Sequence, residues 1–141
     1  MTVSLDQFRA ALKVVWPDAG LPDLPPLPVS LDLVTDSRKV AEGSVFVAVP
    51  GSQGDGREYI DQALEGGASL VLAHTRQAEL TLQGKVLSLP HLARRLGELG
   101  RSLYQVPDDL EVIAVTGTNG KSSVTHYVAV LSELLGIPAG V

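Results

Sequence analysis

The chain has 141 residues, 45% hydrophobic and 19% charged, which suits one ordinary domain or a small domain with part of another and excludes a disordered chain. Its net charge of -5, with no run of Lys or Arg, argues against a nucleic-acid surface or an anionic membrane as the main partner. There is no cysteine, which excludes disulfides, thiolate nucleophiles and Cys-based zinc sites. No stretch approaches the ~18 apolar residues of a membrane span, and the N-terminus lacks the apolar run of a secretory signal. A cytoplasmic location is expected.

Ser4 followed by Gln7 predicts a capping box, and Leu5, Phe8, Leu12 and Val15 recur at helical spacing before Pro17. Pro22, Pro25, Pro26 and Pro28 make the next stretch an extended connector. Leu31 to Thr35 alternates weakly, and Val45 to Val49 is a continuous apolar run suited to a strand buried on both faces. Tyr59 to Glu65 reads as a short helix ended by Gly66-Gly67, with Ser69 to Ala73 and Lys85 to Leu89 as further strands. Pro90 is expected to open a helix in which Leu92, Leu96, Leu99 and Leu103 share one face. Strands alternating with helices imply an α/β domain over residues 1–104.

Pro107-Asp-Asp marks a boundary, and residues 105–141 read as the truncated start of a second domain. Val112 to Val115 is expected as a buried-type strand, followed by a glycine-containing loop and a helix from about Lys121 to Leu135, with Gly136 at its C′ position. Because Gly117, Gly120, Lys121 and Ser122 fall between that strand and helix, the fold class expected is a small N-terminal α/β domain followed by the first strand, phosphate loop and helix of a Rossmann-like P-loop ATPase domain.

The sharpest chemical signal is Thr116-Gly-Thr-Asn-Gly-Lys-Ser-Ser123. Glycines let the backbone curl so that successive N–H groups converge, and the helix start adds free N–H groups and the positive end of its dipole. Gly117, Thr118, Asn119, Gly120, Lys121, Ser122 and Ser123 are therefore the expected binders of ATP phosphates, with Lys121 on the β and γ oxygens and Ser122 on Mg2+. The loop departs from a strict Walker A pattern, which requires glycine where Val115 stands, and is the shorter Gly-x-x-Gly-Lys-Ser variant. A strand-to-helix turn whose glycines serve geometry alone is the competing interpretation.

This loop resembles the Gly-Thr-Asn-Gly-Lys-Thr/Ser signature of the Mur ligases and their folylpolyglutamate synthetase relatives. Upstream, Asp36-Ser-Arg-Lys-Val40, Gly43 to Gly51, Asp55-Gly-Arg-Glu-Tyr-Ile60 and Gly67 to Ala73 are similar to the N-terminal domain of the MurE and MurF classes, which holds the UDP end of the substrate. Thr118-Asn119 favours the MurE class. The resemblance runs from about residue 31 to the C-terminus and implies that Ser37, Ser52, Gln53 and Gly54 contact UDP. Thr35 departs from the pattern, standing where relatives often carry an apolar residue.

The resemblance also implies a reaction. ATP phosphorylates the carboxylate of UDP-N-acetylmuramoyl-L-alanyl-D-glutamate, and the amine of a diamino acid attacks the acyl-phosphate. Lys121 would be the catalytic residue, stabilising charge on the transferring phosphoryl. In the family, further metal ligands and the amino-acid-selecting domain follow the phosphate loop, so 141 residues alone are expected to be inactive. Alternatives are a MurF-type ligase, another P-loop NTPase or amide ligase, and a non-catalytic UDP-sugar-binding remnant.

The remaining polar residues have ordinary structural readings. Asp55 is expected as a helix N-cap and Arg38 either as an ion-pair partner of Asp36 or Glu42 or as a ligand contact. Lys39 and Arg57 read as surface charges, with holding a pyrophosphate as the alternative, and the Arg94-Arg95 pair reads as a solvated face. His74, His91 and His126 are too scattered to imply a metal site.

Overall fold

The structure, a computed structural model, describes residues 2–141. The chain divides into two compact units, Met1–Val106 and Pro107–Val141.

In the first unit a short strand, β1 (Thr2–Ser4), runs directly into α1 (Leu5–Val15). The capping box forms as the sequence predicts: Gln7 N–H donates to Ser4 Oγ at 3.2 Å, and Ser4 N–H donates to Gln7 Oε1 at 2.9 Å. Four further strands follow the Pro-rich connector and build the core of the sheet: β2 (Ser30–Val34), β3 (Val45–Ala48), β4 (Leu70–Thr75) and β6 (Val86–Pro90). These four are mutually parallel. An antiparallel strand closes each edge, β1 beside β2 and β5 (Thr81–Gln83) beside β6, giving the order β1-β2-β3-β4-β6-β5.

Apolar side chains leave the parallel strands on both faces, which is why β3 reads as an unbroken hydrophobic run. On one face Val45, Val47, Leu70, Leu72, Leu87 and Leu89 pack with Phe8 and Leu12 of α1 and with Leu99 and Leu103 of α3 (Leu92–Leu103). On the other, Phe46, Ala48 and Val71 pack with Ala63 of α2 (Ile60–Glu65) and with Ala68. The result is a three-layer α/β/α arrangement. In the connector, Leu21, Leu24 and Leu27 pack against the first of these clusters.

The helix expected over Tyr59–Glu65 forms as α2, with Tyr59 as its N-cap and a 3-10 turn over Gly56–Tyr59 before it. Two local expectations are corrected. Pro90 does not open α3 but ends β6, paired with Thr75. Because β5 reaches only Ser88, no neighbour on that side needs an N–H from Pro90. His91 is therefore not in the first turn of α3; it is its N-cap, in the left-handed region at φ 55°.

In the second unit, α4 (Lys121–Leu134) forms as expected, and Gly136 takes the left-handed C′ conformation at φ 77°. The strand expected over Val112–Val115 is absent; the segment has no regular secondary structure. A strand exists through its ladder, and the described residues of this unit supply no second strand to complete one. Among the described residues no helix is long and apolar enough to cross a membrane.

Candidate functional site

Loops that follow adjacent parallel strands emerge at one edge of a sheet, where open α/β sheets gather their ligand contacts. Here β2 leads into a 3-10 turn over Ser37–Lys39, β3 into the loop Pro50–Asp55, and β4 ends at His74 and Thr75. The two segments predicted to contact UDP, Ser37 and Ser52-Gln53-Gly54, thus follow the C-terminal ends of neighbouring strands.

The same device builds both loops. Asp36 and Asp55 have nearly identical backbones, with φ, ψ of -104°, 114° and -101°, 114°, and each caps a 3-10 turn. In each case the carboxylate accepts from the backbone N–H two residues on, at 3.0 Å, and from the guanidinium of that same residue, Arg38 or Arg57. The Arg38 guanidinium beside Asp36 holds its carboxyl down at about 2, reinforced by the Arg38 N–H, and Arg57 does the same for Asp55. The ion pair weighed for Arg38 forms with Asp36. Arg57, read as a surface charge, is likewise paired. Asp55 is the cap that was expected.

Between these caps the loop is small and open. Gly51 N–H donates to the Gly54 carbonyl at 2.8 Å, and Pro50 bridges Asp55, so residues 51–54 make a tight reversal. Ser52, Gln53 and Gly54 are exposed. A Cβ on Gly54 would meet no protein atom within 4 Å, whereas one on Gly56 would lie 2.9 Å from the Val49 carbonyl oxygen. Gly56 is thus required by the protein's own packing, and Gly54 is not.

Ser37 is half-buried, and its hydroxyl donates to Gln62 Oε1 of α2 at 3.0 Å. His74 Nδ1 accepts the Ala93 N–H in the first turn of α3 at 3.1 Å, which fixes the neutral tautomer with its proton on Nε2. Burial, then the nearby positive charges of Arg57, His91 and Arg76, push the His74 imidazole below its usual range, against a smaller opposing pull from Asp55. Neither Gln62 nor the His74 bond was found by sequence reasoning; both link residues distant in the chain. Arg95 also differs from its reading as a solvated face: its guanidinium caps the Val15 carbonyl at the end of α1.

In the second unit Gly117 to Gly120 forms the predicted loop. Gly120 is the N-cap of α4 at φ 79°, without a side-chain cap, so the first N–H groups of α4 are left to a ligand or to water. Lys121 Nζ donates to the Gly117 carbonyl across the loop, drawing the ammonium toward the turn. Thr118, Asn119, Ser122 and Ser123 are exposed beside it. The structure therefore groups the phosphate-binding candidates in one unit and the UDP candidates in the other. Among the described residues no group of three or more His, Cys, Asp or Glu could hold a metal ion.

Residues 33–104 match the profile of the Mur ligase family, catalytic domain. The chain belongs to the Mur ligase family. Among curated relatives, the UDP-N-acetylmuramoyl-L-alanyl-D-glutamate--2,6-diaminopimelate ligase of Coxiella burnetii is 41% identical over 112 residues, covering 77% of this chain and 23% of that protein. The ligase of the same name from Vibrio vulnificus is 39% identical over 133 residues, covering 89% and 26%. Among solved structures, the MurF ligase of Thermotoga maritima in complex with ADP matches with 31% identity and a TM-score of 0.50, over 74% of this chain and 23% of that one. A UDP-N-acetylmuramoyl-L-alanyl-D-glutamate--2,6-diaminopimelate ligase structure matches with 28% identity and a TM-score of 0.57, over 96% and 26%. This Mur ligase chain thus spans about a quarter of the length of the relatives it matches.

Proposed function

We propose that this chain is the substrate-entry and phosphate-loop portion of an ATP-dependent amide ligase of the MurE type, one that adds a diamino acid to UDP-N-acetylmuramoyl-L-alanyl-D-glutamate. The observation that carries the proposal is the presence in one chain of two distinct devices. The Ser37 turn and the Ser52–Gly54 loop lie at one sheet edge, and a Gly-Thr-Asn-Gly-Lys-Ser loop starts α4. Curated relatives at about 40% identity are diaminopimelate ligases, which favours the MurE type over the MurF type.

In this function the backbone N–H groups around Gly117–Gly120 and the start of α4 hold the ATP phosphates, and Lys121 neutralises charge on the phosphoryl group as it moves to the substrate carboxylate. The carboxylate oxygen attacks, ADP leaves, and the incoming amine then displaces phosphate to form the amide. Ser122 suits Mg2+ as one neutral oxygen ligand, because that ion keeps several waters and arrives largely on substrate phosphates. The Mg2+ supplies neutralisation of phosphate charge.

The UDP assignment is testable by isothermal titration of this chain with UDP and UDP-N-acetylmuramic acid. Ser37→Ala should weaken binding by ~0.5–1.5 kcal/mol, the net worth of one neutral hydrogen bond. Gly54→Val should weaken it more if the backbone meets the ligand. The position is open within the protein, so a loss there reports on the ligand and not on folding. A folded chain that binds neither compound at millimolar concentration overturns the assignment.

A further inference from the structure

A hydroxyl has one hydrogen to give and two lone pairs that accept, and beside a ligand its free rotation leaves open which role it plays. In this chain the Ser37 hydrogen is already committed. It goes to Gln62 Oε1 at 3.0 Å, across 25 residues of sequence and from one element to another. Gln62 is exposed in the first turn of α2, so its side chain is not there to fill the core. Nor is the bond needed to dock the two elements, since Val40, Ile60 and Leu64 pack with Ala63 and Phe46 beneath them.

We propose that Gln62 is a positioning residue of the UDP site: by taking the Ser37 hydrogen it fixes Ser37 as an acceptor for an N–H or O–H of the ligand, such as the uracil imide or a ribose hydroxyl. This inference rests on the UDP reading given above. The Gln62 carbonyl acts through Ser37, while its NH2 group remains a donor beside the hydroxyl. A pre-set hydroxyl loses no rotor freedom on binding, and a ligand that needed a donor from Ser37 would have to break the Gln62 bond first.

A double-mutant cycle read by titration with UDP and with uridine tests this on the 141-residue chain. Ser37→Ala and Gln62→Met should each weaken both ligands roughly three- to tenfold, and the double variant should be no weaker than Ser37→Ala alone. Gln62→Glu retains an acceptor and should return uridine affinity to within about twofold of the parent, which a merely structural role would not predict. Gln62→Met that binds like the parent while Ser37→Ala is weakened overturns the inference and leaves the UDP reading intact. Additive losses in the double variant also overturn it, because Gln62 would then act independently of Ser37. A parent chain that binds neither ligand removes the UDP reading and this inference together.

Discussion

At the scale of single residues, the Asp-x-Arg triplet used after β2 and again after β3 ties loop geometry to charge. Each carboxylate accepts from its own turn and its own arginine most strongly when ionised. Holding Asp36 and Asp55 down at about 2 means that their contribution is complete above the ordinary value of 3.8 and is lost as pH falls from there toward 2. His74 acts with the opposite charge but the same direction of pH. Its folded imidazole takes a proton less readily than the unfolded one, so it contributes nothing above about pH 6.5 and costs stability as pH falls below that value. Urea midpoints measured against pH should therefore be level above about 6.5, fall through a first step, and fall again below 3.8. His74→Gln should flatten the first step, and Asp36→Asn with Asp55→Asn should flatten the second; a profile unchanged by either set contradicts the assignment. Asp55 as a cap was legible because an Asp before Gly-Arg near a helix start has few other uses. The Ser37–Gln62 and His74–Ala93 bonds were not, since spacing in sequence says nothing of partners brought together by strand pairing.

At the scale of elements, long periodic or continuous apolar segments were legible and short or dependent ones were not. The helix α1, the all-buried β3 and the Leu92–Leu99–Leu103 stripe of α3 declare their environment through their own residues. The edge strands β1 and β5 are three residues each and owe their existence to the neighbour they pair with. The same dependence removed the expected strand at Val112–Val115, where the composition is right and the partner is missing. Contacts that join elements are likewise visible only in three dimensions. The end of α1 is tied to two elements: Trp16 Nε1–H donates at 2.9 Å to the buried Pro90 carbonyl at the end of β6, and Arg95 of α3 caps the Val15 carbonyl. Trp16→Phe leaves the Pro90 carbonyl without its donor, which should cost about 1–3 kcal/mol beyond the lost ring volume. A lower urea midpoint with unchanged slope is the expected result, and a midpoint equal to the parent's would show that the bond carries no net stability.

At the scale of the whole molecule, the two units differ in how much apolar surface each removes from water. In Met1–Val106 the sheet is covered on both faces, and Phe8, Leu12, Phe46, Leu70, Leu72 and Leu87 are fully buried. In Pro107–Val141 no residue of α4 is buried, and Leu110, Tyr127, Leu131 and Leu134 are 55%, 65%, 59% and 78% exposed. What that unit does enclose is a groove of about 780 Å3 lined by residues such as Ile113, Val115, Val128 and Ala129. A single helix of 14 residues is marginal in water unless an apolar face is buried. Local opening of the second unit should therefore cost far less than opening the sheet. Chymotrypsin reads this difference, because in the first unit Phe8, Phe46, Leu70 and Leu72 are buried and the exposed aromatic sites are Tyr59 and Tyr104 at the ends of helices, whereas Leu110, Tyr127, Leu131 and Leu134 are exposed in the second. Its first cuts are expected at Leu110, Tyr127, Leu131 and Leu134, leaving a resistant product that ends near Val106, and amides of α4 should exchange with solvent before those of β3 and β4. Early cleavage at Phe46 or Leu72, or α4 amides protected as long as those of β3, would mean that the second unit is held by interactions its exposed apolar side chains do not reveal.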